Sequence, residues 1–138
     1  MKRTIFRRCL VIALLLCVYP VFVIGFTWSH VLRSEWKGGR HGPLDAYRHA
    51  LASATVSYTL GEWAVSLTTW ACEWGGKDSH QMDIHNNRIG AAIGSRCSSF
   101  RELEPAVRQA VLQGGTSAMG PDRITWLAPE RWHDGKLW

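Results

Sequence analysis

Eighteen consecutive residues without a charge, Cys9 to Phe26, constrain this chain more than any other feature. CLVIALLLCVYPVFVIGF approaches the roughly 20 apolar residues that a helix needs to cross a hydrocarbon core. It follows Lys2, Arg3, Arg7 and Arg8 with no acidic residue among them. A cationic flank of this kind stays in the cytoplasm, so the chain after Phe26 is expected on the exported side. The run exceeds the usual core of a signal peptide and lacks an A-x-A pattern, which favours an uncleaved single-pass anchor. Cleavage after Gly25, with small Val23 two residues before it, is the alternative and would leave a secreted chain.

That flank also accounts for most of the net charge. The formal charge is +5 over 138 residues, and four of those positives precede Cys9. From Thr27 onward, twelve Lys and Arg face eleven Asp and Glu. No basic patch survives, and nucleic-acid binding loses its main argument. The length suits one domain. The expected division is a membrane anchor or signal over 1–26, a flexible linker over 27–42 ending in KGGRHGP, and a helical domain over 43–138 with a Trp-rich tail. Export changes the reading of the cysteines: Cys72 and Cys97 lie beyond the apolar run and are a candidate disulfide, with two buried thiols as the alternative.

The domain reads as all-α, a small bundle of about four helices. Pro43 suits a first helical turn, and DAYRHALASATVSYTL carries that helix to about Leu60 before Gly61 interrupts. EWAVSLTTWACEW gives a second helix. Asp78 with Gln81 resembles an N-cap pair opening a third, through HQMDIHNNRIGAAIG, and Ser99 with Glu102 repeats the device before a fourth, FRELEPAVRQAVLQ. Pro105 shifts the start of that helix later. The tail is expected to hold a short extended piece at ITWL and then a turn or short helix.

Helical spacing places the polar residues unusually. Asp45 and His49 share a stripe with Ala52, Val56 and Leu60, so both should point inward, one turn apart. A carboxylate so placed fixes the tautomer of an imidazole and raises its basicity, which is how a general base or a metal ligand is held. In the third helix Asn86 falls on the apolar face with Met82, Ile89 and Ile93, as an internal strut. Asp83, Asn87, Gly90 and Gly94 form the neighbouring stripe, with His85 at the other edge. Two glycines in one helical stripe cost stability and suggest close approach by another helix or a ligand. A groove results, with Asp45 and His49 on one wall and Asp83 and Asn87 on the other. Its donors could hold a divalent metal, with His49 and Asp83 as candidate ligands, or orient a water. In the second helix Trp63, Leu67, Trp70 and Trp74 share a stripe that reads most simply as core, with a lipid-contacting surface as the alternative.

DAYRHALASA (45–54) followed by MDIHNNRIG (82–90) resembles a family of small bacterial domains of unknown function. Its pattern is D-A-[FY]-R-H-A, an A-x-E element, then M-D-x-H-N-N-x-x-G. The resemblance covers about 43–95 and marks Asp45, Arg48, His49, Glu73, Asp83, His85, Asn86, Asn87 and Gly90. The middle element here is Ala71-Cys72-Glu73, with Cys72 where relatives carry His, which puts part of any shared chemistry in doubt. The family brings no activity to transfer; its members are bacterial and some are exported, which with the N-terminal apolar run makes a bacterial inner membrane the expected location.

The leading expectation is a membrane-anchored exported domain with a hydrolase-like site. In it His49 is a general base or metal ligand oriented by Asp45, and Asp83 a second ligand or acid. Asn87 and Arg48 position a carbonyl or phosphate oxygen of an envelope substrate. The alternative is a non-catalytic envelope protein whose polar residues form an internal hydrogen-bond network while the tail docks a protein partner.

Overall fold

The computed structural model describes residues 2–72, 78–116 and 120–136. It comprises five α-helices: α1 (Lys2–Arg33), α2 (Pro43–Leu60), α3 (Glu62–Cys72), α4 (Asp78–Arg96) and α5 (Leu103–Leu112). Short 3-10 turns lie at Phe100–Glu102 and Pro129–Arg131, and Gly115–Thr116 (β1) pairs in parallel with Thr125–Trp126 (β2). The all-α expectation holds, and the N-terminal helix is long and apolar enough to cross a membrane.

The caps explain the boundaries of α2. Gly42 and Pro43 open it, and Gly61, at φ +97°, closes it by donating its N–H to the Ser57 carbonyl. A positive φ is a conformation that glycine adopts without a steric penalty. Before α5, the Glu102 carboxylate accepts the Ser98 N–H and the Ser99 hydroxyl, so the expected pairing of Ser99 with Glu102 runs side chain to side chain.

The apolar helix continues past the expected boundary. α1 runs without a break from Phe26 through Arg33, into the segment expected as a linker. Val31 is fully buried there, in one cluster with Leu44, Tyr47, Leu51, Leu103, Val107, Val111 and Ile124. The rest of that segment is held from two sides: Trp36 packs edge-on against Tyr47 of α2, while from the tail His133 pairs with Arg40 and the Lys136 ammonium caps the Leu32 and Ser34 carbonyls. Backbone pairing to a distant segment, invisible to local composition, holds this Gly-rich stretch in place.

α2 lies at the centre and packs against α1, α3, α4 and α5. It runs antiparallel to α1, since Arg48 lies over the Trp28 ring and Thr59 against Tyr19. It runs parallel to α4 at very short range. A Cβ on Gly90 would lie 2.3 Å from the Ala50 carbonyl oxygen, and one on Gly94 2.2 Å from that of Ala54. The Ser57 hydroxyl adds a bond to the Ala91 carbonyl at 2.8 Å. The glycine stripe is therefore a helix–helix contact.

Met82, Asn86 and Ile89 are buried as one face of α4. Asn86 is the strut anticipated from its position: its Nδ2 donates to the Thr125 carbonyl at 2.8 Å, and its Oδ1 accepts the Thr125 N–H at 3.0 Å. One side chain thus pins β2 to α4. Asn86→Ala would strand both backbone groups of Thr125, at a cost of about 3 kcal/mol. The expected result is a thermal melt lower by on the order of 10 °C, read by circular dichroism; an unchanged melt would show that water or a neighbour already serves those groups.

The tryptophan stripe of α3 departs from its simplest reading. Trp63 is 64% exposed and Leu67 55%, while small Ala64 and Val65 are buried. Short side chains let α3 sit close to the domain and leave the large ones outside. The side chains of Trp70 and Cys72, and all of Glu73 and Trp74, lie outside the described residues. The candidate Cys72–Cys97 bridge lies partly outside them for the same reason.

Candidate functional site

The first turn of α2 builds a carboxylate into the core. Asp45 is 2% exposed. Its Oδ2 accepts the His41 N–H at 2.7 Å, and its Oδ1 takes a charge-assisted hydrogen bond from Arg48 Nη2. One turn on, His49 Nε2 stands 3.4 Å from Asp45 Oδ1 and 3.6 Å from Asp83 Oδ1, which reaches across from α4. Asp45, His49 and Asp83 each present one ligand atom, all within 4.8 Å of one another. The parallel α2–α4 crossing makes this possible, because close glycine packing brings the two polar stripes face to face.

The electrostatics are those of two carboxylates competing for one imidazole. Burial alone would lift the Asp45 carboxyl; the His49 hydrogen bond and charge, the His41 N–H and Arg48 outweigh it and hold the group below its ordinary value. Burial opposes charge on His49, yet its hydrogen bond to Asp45 and the charges of Asp83 and Asp45 raise it. Asp83 is pushed up by burial; His49 opposes that, and repulsion from Asp45 adds to it. Among the described residues Asp83 Oδ1 is buried without a hydrogen-bond partner. A shielded carboxylate oxygen of this kind costs free energy unless something pairs with it.

His49 and Asp83 open onto a cleft of about 520 Å³ between α2, α3 and α4. Ala52, Val56, Val65 and Ile84 give it apolar walls, and Ser53, His80 and Asn87 supply further polar groups. The Ser53 hydroxyl donates to Asn87 Oδ1 at 3.0 Å, which orients that amide. The groove foreseen from the helical stripes is thus present, with Asp45 behind His49 and away from the cleft lining.

Residues 10–116 match the domain of unknown function DUF6973. The chain belongs to that family. No curated protein and no solved structure matches it. The DUF6973 match begins inside α1 and ends at β1, so it takes in most of the apolar helix together with Asp45, His49 and Asp83.

Other motif positions of this DUF6973 chain divide by role. Arg48, expected to position a substrate oxygen, is instead engaged by Asp45 and stacked over Trp28, with its centre 5.6 Å from the ring. It does not line the cleft. His85 reaches the Arg123 carbonyl at 2.8 Å and ties α4 to the tail, as Arg88 does through the Pro121 carbonyl. Gly90 is the contact with Ala50. Glu73 lies outside the described residues.

Two histidines emerge that helical stripes do not single out as site residues. His41 and His80 both act electrostatically on Asp83, and each has a buried ring nitrogen with no hydrogen-bond partner among the described residues. His80 stands three residues before Asp83 in α4, a spacing that carries the signal. His41, at φ +65°, precedes α2 in a turn, and no periodicity reports on it.

Proposed function

We propose that this is a membrane-anchored, exported domain whose α2–α4 groove binds a divalent cation through Asp45, His49 and Asp83 and forms a hydrolase-like site. The observation that carries the proposal is the convergence of His49 Nε2 and two carboxylate oxygens within 4.8 Å, with Asp83 Oδ1 otherwise unpaired among the described residues. Two carboxylates and one imidazole suit a hard or borderline divalent ion. Such an ion polarises a substrate oxygen and lowers the pKa of a bound water. Asn87, with its Oδ1 engaged by Ser53, offers its amide N–H groups to an oxygen in the cleft. In this reading α1 is the anchor, and its cationic start supports an exported domain.

The non-catalytic reading has a specific observation in its favour at one place. Asn86, fully buried and doubly bonded to Thr125, is scaffolding. It does not extend to Asp83, which has no such bonds to lose.

The test is metal analysis of the full chain, purified in detergent without chelator and equilibrated with divalent cations. One ion per chain is expected, and it should be lost in both His49→Ala and Asp83→Asn. A wild-type protein that stays metal-free under saturating Mg²⁺, Mn²⁺, Ca²⁺ and Zn²⁺ would sink the cation proposal.

A further inference from the structure

The apolar surface of α1 ends higher than the domain begins. Its charge-free apolar run, Cys9 to Phe26, has Ile24 more than half exposed near its end. At 1.5 Å per residue this run is about 27 Å long, close to the thickness of a bilayer hydrocarbon core. Yet Tyr19, five residues before Ile24, meets Thr59 near the end of α2, oxygen to oxygen at 2.5 Å. Phe22 and Phe26 pack on Phe100, which also meets Tyr58 edge-on. The α2 C-terminus therefore lies roughly 7 Å below the level of Ile24. Removing it from the bilayer would leave α1 with only the stretch before Tyr19 to span it, about half the length required.

The surface at that depth is suited to lipid. Leu60, Trp63 and Leu67 project from the α2–α3 corner, each at least 45% exposed, and the exposed Glu62 between them has to reach toward the headgroups when the corner is seated. Arg101, exposed beside Phe100, and Arg96, two residues past the Gly94–Ala54 contact, supply cations near the expected edge of the hydrocarbon. Trp and Arg at such an edge are the usual signature of an interfacial surface. The cleft is then at a defined height. Arg48 covers Trp28, four residues beyond Ile24, which sets His49 about 6 Å outside the hydrocarbon, among the headgroups. Apolar Val56, Val65 and Ile84 line the cleft beside it.

Resting on the reading of α1 as an anchor, we propose that the α2–α3 corner is seated in the leaflet from which α1 emerges. This sets the mouth of the His49 cleft at headgroup height and makes membrane lipid the class of ligand it faces.

The experiment places the full chain in nanodiscs of phosphatidylethanolamine and phosphatidylglycerol, with or without brominated acyl chains, and reads tryptophan emission. Trp63 is isolated as the difference between wild type and Trp63→Phe, and Leu67→Trp reads the same face by adding emission. Leu14→Trp reports on the anchor itself, and Leu112→Trp on the far end of α5. Bromine should quench the Trp63, Leu67→Trp and Leu14→Trp signals by more than half and leave Leu112→Trp unchanged. Thr69→Trp, at the cleft, should be quenched by a headgroup nitroxide. Quenching of Leu14→Trp without quenching at positions 63 and 67 would overturn the seated corner and leave the anchor standing. An unquenched Leu14→Trp would remove the anchor, and this proposal with it. A Thr69→Trp signal indifferent to the headgroup nitroxide would overturn the lipid-facing cleft.

Discussion

A single methyl group at position 94 is expected to unseat the α2–α4 crossing. In Gly94→Ala the new Cβ would stand 2.2 Å from the Ala54 carbonyl oxygen and 2.9 Å from its carbonyl carbon. These are backbone atoms in the central helix, so no flexible side chain can swing aside. Two effects oppose each other. Alanine gains about 1 kcal/mol of helix propensity over glycine, while overpacking a close contact costs 1–3 kcal/mol or more. With three atoms of rigid backbone inside 3 Å, the steric effect should win by about 2 kcal/mol, a melt lower by roughly 5–10 °C. Gly90→Ala, at 2.3 Å from the Ala50 oxygen, should behave alike. Gly25→Ala, with nothing within 4 Å, is the control and should be neutral or mildly stabilising. Because the crossing carries His49 on one helix and Asp83 on the other, both core variants should lose metal along with stability. A Gly94→Ala melt at or above wild type would mean that the helices sit farther apart than described.

Asp83→Asn should separate function from stability. In the metal-free protein this carboxylate is partly buried beside Asp45, and burial and that repulsion raise its pKa. A carboxyl whose folded pKa is raised destabilises the fold at pH values above it. A neutral isostere should therefore leave the melt in EDTA unchanged or higher, while metal affinity falls at least about 100-fold, the upper range for losing even an outer-shell partner. If instead Asp83→Asn lowers the EDTA melt as far as Asn86→Ala does, the residue is structural and the cation site falls.

The pH dependence gives the same contrast. The raised pKa of His49 stabilises the metal-free fold below its unfolded value, and that contribution disappears as pH rises through the folded value. The lowered pKa of Asp45 acts oppositely: its contribution is present above the unfolded value and lost as pH falls through the folded one. A metal needs the imidazole neutral, so its affinity should climb as pH rises through the folded His49 value. Towards alkaline pH, metal-free melts should therefore fall and the stabilisation gained from metal should grow.

Much of this was legible in the sequence because it is local. Pro43 and Gly61 bound α2 through backbone geometry, and a charge-free run marks α1. Helical period alone put Asn86 on a buried face, and Asp83 and the glycines on the stripe beside it. The stripes also suggested a groove with Asp83 opposite His49; what they could not supply is the distance at which the two walls meet. That Asp83 comes within reach of His49 follows from two glycines admitting α2 at contact distance. That Arg48 serves Asp45 and Trp28 follows from the path of α1. The burial of Val31, the exposure of Trp63 and the strap of the tail over the Gly-rich turn depend on neighbours far along the chain. Each helix encodes its own faces by period and caps; the pairing of faces is settled only when all of them compete to bury apolar surface together, and that competition placed the three donors around one point.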